Sequence, residues 1–144
     1  MTTVDTDTRR STNLETLRDY FRLLSERDLD GWIRLWAPDC VLRLPYTAGD
    51  LPARLDGAAA VQEFYQRVID GFSSVTFTLI EFSPLQDPDK VFARWRPRCA
   101  MLDGSVYTNE TVGLFEFDAD GLIHHFTEYL HQLGFVDSFD SFRQ

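Results

Sequence analysis

Positive charge is scarce in this chain. Its 144 residues hold 14 Lys and Arg against 23 Asp and Glu, a net charge of −9. The few basic residues are nearly all Arg and are scattered along the sequence. A nucleic-acid partner needs a basic footprint to replace phosphate counterions, so no nucleic acid is expected as a partner. Attachment to anionic lipid is disfavoured for the same reason. Cysteine is scarcer still: Cys40 and Cys99 stand far apart with no ligand-like neighbours. A disulfide framework or zinc site is not expected, and two buried free thiols in a reducing cytoplasm are. Long hydrophobic runs are missing. The N-terminal MTTVDTDTRRST has no apolar core of a secretory signal, and no segment has the length and apolarity to span a bilayer.

What the chain does have is rings. Aromatics make up 14 %, with 12 Phe, 5 Tyr and 3 Trp. Rings suit the walls of an apolar pocket for a small molecule, and they equally suit an ordinary core. No internal repeat, linker or low-complexity tract breaks the sequence. Its length fits one domain over 1–144, with a flexible N-terminal arm at 1–11 and a C-terminal tail at 136–144.

Thr12-Asn13-Leu14-Glu15 reads as a capping box, and Leu14, Leu17, Phe21 and Leu24 follow at helical spacing, with Tyr20 beside them. A first helix is expected to about Arg27. Asp28 or Asp30 caps a short second helix with Trp32, Leu35 and Trp36, stopped by Pro38. Residues 40–44 form a strand, and 46–56 a loop. Asp56 caps a third helix in which Val61, Phe64, Tyr65 and Val68 make one face, closed by Gly71. The period then changes from 3.6 to 2. Residues 75–82, 91–101, 105–117 and 122–131 read as four strands with short connections, hence antiparallel neighbours. Helices first and strands after give an α+β fold: three N-terminal helices on a curved antiparallel sheet enclosing a pocket.

The order of elements, together with Tyr107-Thr108-Asn109-Glu110, Leu114-Phe115-Glu116-Phe117, Gly121-Leu122-Ile123 and Thr127-Glu128-Tyr129-Leu130, resembles the nuclear-transport-factor-2-like superfamily. Within it the chain looks most like the SnoaL-like polyketide cyclases and the phenazine-biosynthesis A/B proteins; Gln86-Asp87-Pro88-Asp89 adds to the phenazine likeness. The resemblance implies a cone-shaped fold over about residues 12–134. It also implies acid–base chemistry without a metal or organic cofactor, and a homodimer through the outer sheet face, here Val106, Thr108, Val112 and Leu114. Relatives of this kind include steroid isomerases, aldol-type cyclases, epoxide hydrolases, dehydratases and non-catalytic binders.

Glu128 is the first candidate for chemistry. Strand alternation puts His124, Phe126, Glu128 and Leu130 on one face, and the two apolar members suggest that this face points inward. A carboxyl there is desolvated, which raises its pKa toward neutrality and suits proton transfer. The alternative is an exposed strand glutamate, because a one-residue bulge would turn it outward. The resemblance implies an acid/base glutamate at this place. It matches Tyr20 to an oxyanion-stabilising tyrosine of the steroid isomerases, and Tyr65 to a supporting one; both could equally be core residues. Leu44 and Gly113 replace that family's two acids, and Phe64 replaces the histidine of the phenazine-type proteins. Asn109 could orient a substrate carbonyl or a water. Trp36, Leu44, Tyr46, Phe64, Trp95, Met101, Tyr107, His124 and Phe126 are expected to shape the cavity for an apolar substrate. A metal held by His124, His125 and His131 is disfavoured, since adjacent strand histidines point apart. Two functions stay open: a cofactor-free cyclase, isomerase, lyase or epoxide-opening enzyme, and a non-catalytic ligand-binding or assembly protein.

Overall fold

The computed structural model describes residues 3–46 and 48–139. The chain folds in the order α1 (Thr3–Ser25), α2 (Leu29–Ile33), β1 (Trp36–Arg43), β2 (Arg54–Asp56), α3 (Ala58–Asp70), β3 (Phe72–Pro84), β4 (Lys90–Met101), β5 (Val106–Thr108), β6 (Thr111–Phe117), β7 (Ile123–Tyr129) and α4 (Gln132–Ser138).

α1 and α3 carry the apolar faces that the spacing predicts. Leu17, Tyr20 and Phe21 are buried on α1, and Val61, Phe64, Tyr65 and Ile69 on α3. α1 starts at Thr3 rather than at the Thr12 capping box, so the expected arm is helical from Thr3 onward, and residues 1–2 lie outside the described part. The physical reason is tertiary. Arg9 bonds Asp89, Arg10 donates to the carbonyls of Leu85 and Gln86, and Asn13 donates to the Pro88 carbonyl at 3.0 Å. The turn between β3 and β4 thus supplies partners for polar side chains that read, in sequence, as a frayed start.

α2 is a single short turn. Asp28 caps it by accepting from the Gly31 N–H at 2.9 Å. The second helix therefore stops before Trp36 and Pro38, which lie in β1, and only two of the first three helices are long. Pro38 fits there because pairing of β1 with β7 shifts register between Trp36 and Val41. α3 is preceded by Gly57, whose φ of +90° no β-carbon residue adopts easily, and not capped by Asp56.

The strands form one curved sheet in the order β2-β1-β7-β6-β4-β3, with β5 also pairing with β4. It is mixed rather than antiparallel: β1 runs parallel to β7. Short connections settle neighbours only among the later strands; β1 and β7 are separated by all the intervening elements, which leaves their relative direction free. The expected 105–117 strand is broken at Asn109-Glu110, and a fourth helix, α4, occupies part of the tail. Residues 140–144 of that tail lie outside the described part. Cys40 and Cys99 are buried and unbonded. Among the described residues no helix is long and apolar enough to cross a membrane.

Candidate active site

Three elements converge on one carboxyl. α1 brings Tyr20, α3 brings Tyr65 and β7 brings Glu128. The Tyr65 hydroxyl donates to Glu128 Oε2 at 2.9 Å, and the Tyr20 and Tyr65 hydroxyls lie 3.4 Å apart. Since Tyr65 spends its proton on the carboxylate, Tyr20 is the donor of the second bond. A chain of two phenols therefore ends on Glu128. Tyr20 and Tyr65 are nearly inaccessible to solvent, whereas Glu128 keeps some exposure toward a cavity.

That cavity measures about 90 Å³. Leu44, Phe64, Trp95 and Tyr107 line it with the three residues above. Apolar walls dominate, and burial among them pushes the Glu128 carboxyl up to about 7, against the smaller opposing effect of the Tyr65 hydrogen bond. Burial likewise raises both tyrosines well above the usual phenol range, with the nearby Glu128 charge adding to it.

β7 carries a bulge that sequence alternation does not reveal. Phe126 pairs with Phe115 and Glu128 with Gly113, both inward, but between Glu116 and Phe117 the partner shifts from His125 to Ile123. His124 is the extra residue. It therefore leaves the face of Phe126 and Glu128, and its Nδ1 comes within 3.0 Å of His125 Nδ1, with Nε2 at 3.3 Å from Asp39. His124 is not a cavity residue, and the two adjacent histidines do not point apart. The bulge lies before Phe126, so Glu128 keeps its inward parity.

Other expectations also move. Tyr46 is 67 % exposed and packs on Tyr129, outside the cavity, because it sits in the loop after β1 and not on a strand face. Trp36, Met101 and Phe126 are buried in the core rather than on the cavity wall. Phe126 stacks on Phe115 at 4.1 Å, and Trp36 packs against Tyr20. Asn109 does not line the cavity either; it sits at the break between β5 and β6 and bonds Tyr107, Glu110 and His131. Phe135 and Phe139 of the C-terminal segment do line it, stacked on each other at 4.5 Å and edge-on to Tyr107. Their spacing of four residues is the one helical signal that the tail offered.

The SnoaL-like domain family matches residues 17–126, which is most of the chain. The chain belongs to this family. Solved structures share the fold of this SnoaL-like protein. A Bacillus subtilis protein superposes with a TM-score of 0.83 at 24 % identity, over 94 % of this chain and 99 % of the other. The phenazine biosynthesis-related protein PhzB2 of Pseudomonas aeruginosa gives 0.78 at 19 %, over 96 % and 92 %. The delta 5-3-ketosteroid isomerase of a Mycobacterium species gives 0.73 at 23 %, over 82 % and 92 %. In this SnoaL-like chain the sites that the sequence comparison marked as departures are filled by apolar groups. Leu44 and Phe64 are cavity wall, and Gly113 faces Phe126 so closely that a β-carbon there would stand 2.4 Å from Phe126 Cε1.

Proposed function

We propose that the protein is a cofactor-independent acid–base enzyme. Its reaction is an isomerisation or ring closure, or the related opening of an epoxide, on a small apolar intermediate of specialised metabolism. One observation carries the reading: a carboxyl poised near neutrality, inside an apolar cavity, at the end of a two-phenol chain. Below about pH 7 Glu128 holds a proton to donate; above it, the carboxylate accepts one. Tyr65 stabilises the charged form directly and Tyr20 supports it through Tyr65. The oxyanion role that the steroid-isomerase resemblance implies for the two tyrosines is thereby redirected: the Tyr65 proton faces the carboxylate and the Tyr20 proton faces Tyr65. The isomerase among the structures of this fold agrees in class with this reading.

The test is hydrogen exchange at carbon. Small cyclic β,γ-unsaturated ketones, incubated in D₂O, are followed by NMR for α-exchange and conjugation. The wild-type rate should inflect near pH 7, and Glu128→Gln should lose about 100-fold or more. Equal rates in the two proteins would remove Glu128 from the mechanism. The second reading, a ligand-binding protein without turnover, is favoured by Leu44 and Phe64: a second acid or base is missing from the places where relatives are expected to carry one. Binding of the same ketones with no exchange above buffer would select it.

A further inference from the structure

The Asn109 amide is oriented without ambiguity. Its Oδ1 accepts from the backbone N–H of Glu110 at 2.8 Å and of His131 at 3.3 Å. Its Nδ2 therefore does the donating: to the His131 carbonyl at 3.2 Å and to the Tyr107 hydroxyl at 2.6 Å. Flipping the amide would break the three backbone contacts and reverse the one to Tyr107, since it would set a carbonyl oxygen against a carbonyl and an N–H₂ against two N–H groups. The consequence falls on Tyr107. Its oxygen receives a hydrogen, so its own O–H must point elsewhere. No acceptor for that proton stands among the described residues, although Tyr107 is only 5 % exposed and lines the cavity. An unspent donor in an apolar pocket asks for an acceptor from a ligand or a water.

We propose that Tyr107 is the hydrogen-bond donor to a ligand oxygen in this pocket, and that Asn109 is a positioning residue that enforces the direction of the donation. The inference rests on the pocket reading above and deepens it. The substrate class becomes a compact apolar molecule with one carbonyl-like acceptor, held at Tyr107 while Glu128 exchanges its proton. The edge-on rings of Phe135 and Phe139 hold the phenol laterally and leave it no second polar neighbour of their own.

Acetophenone and α-methylstyrene have nearly the same shape, and only the first has an acceptor. Their dissociation constants are measured by NMR titration at pH 8.5, where Glu128 is ionised and cannot donate. Relative to wild type, Tyr107→Phe should weaken acetophenone about three- to tenfold and leave α-methylstyrene unchanged. Asn109→Asp keeps the two contacts to backbone N–H groups but offers Tyr107 an acceptor, which turns the phenol proton away from the cavity. It should reproduce the selective loss, whereas a merely structural role for Asn109 would weaken both probes together. If the ratio of the two constants is the same in all three proteins, the Tyr107 assignment is overturned while the pocket reading stands. If neither probe binds wild type, both fall.

Discussion

Glu128 stays protonated to about pH 7 because its surroundings offer one phenol and otherwise apolar wall. In the unfolded chain the same carboxyl is solvated and releases its proton near 4.5. A group that binds its proton more tightly when folded favours the folded state at low pH, and that advantage disappears as pH rises through about 7. Wild type should therefore lose roughly 2 to 3 kcal/mol between pH 5 and pH 8 relative to Glu128→Gln, which cannot titrate. Urea denaturation of both proteins at the two pH values measures it. Parallel behaviour of the two proteins would mean that the carboxyl is solvated in the folded state. Tyr65 works against the shift without abolishing it, since one hydrogen bond does not replace the hydration a carboxylate loses on burial.

At the scale of elements, the site rests on the pairing of β6 with β7. Gly113 stands opposite Glu128, and Phe126 and Trp95 fill the space a side chain would need. Gly113→Ala should cost about 1 to 3 kcal/mol of stability, read as a lowered urea midpoint. An unchanged midpoint would show that the Phe115–Phe126 stack yields without strain. This pairing also shows where sequence reading holds and where it stops. Phe126 and Glu128 were legible as inward because Phe126 and Leu130 share their parity. The bulge at His124 was not, because one inserted residue leaves no trace in composition and exchanges the faces of everything on one side of it. α1 and α3 were legible from their apolar stripes. The first turns of α1 were not, since they are held by the distant Leu85–Asp89 turn and not by local propensity. The outward place of Tyr46 is not legible either, because an aromatic in a loop carries no periodicity to show which way it faces.

The whole molecule divides into a face that encloses and a face that is bare. Val91, Ala93 and Trp95 of β4 are buried, while Phe92 between them is 36 % exposed and pairs with Leu114. Phe92, Val112 and Leu114 share that outer side with the Arg94, Arg96, Glu81 and Glu110 ion-pair group, and Val106 is half exposed. An apolar strip bordered by paired charges suits a self-complementary contact. A homodimer through this face is the expected outcome, checked by light scattering: a mass of twice 16.7 kDa supports it, and Leu114→Arg should halve it. A monomer in the wild type would refute it.

The cavity and its roof come from different parts of the chain. Glu128, Tyr65 and Tyr20 stand on the sheet and the long helices, whose loss would unfold the protein. Phe135 belongs to the short helix α4, and Phe139 caps it. At about 90 Å³ the space they close is smaller than the ~150 Å³ void that accepts benzene in a dry core. A ligand the size of a ring needs more room than that, so a lining side chain must give way. Admission to the cavity and the Glu128 hydrogen-bond chain are thus separable: exchange of Phe135 or Phe139 should change which molecules enter without touching the Tyr20–Tyr65–Glu128 bonds.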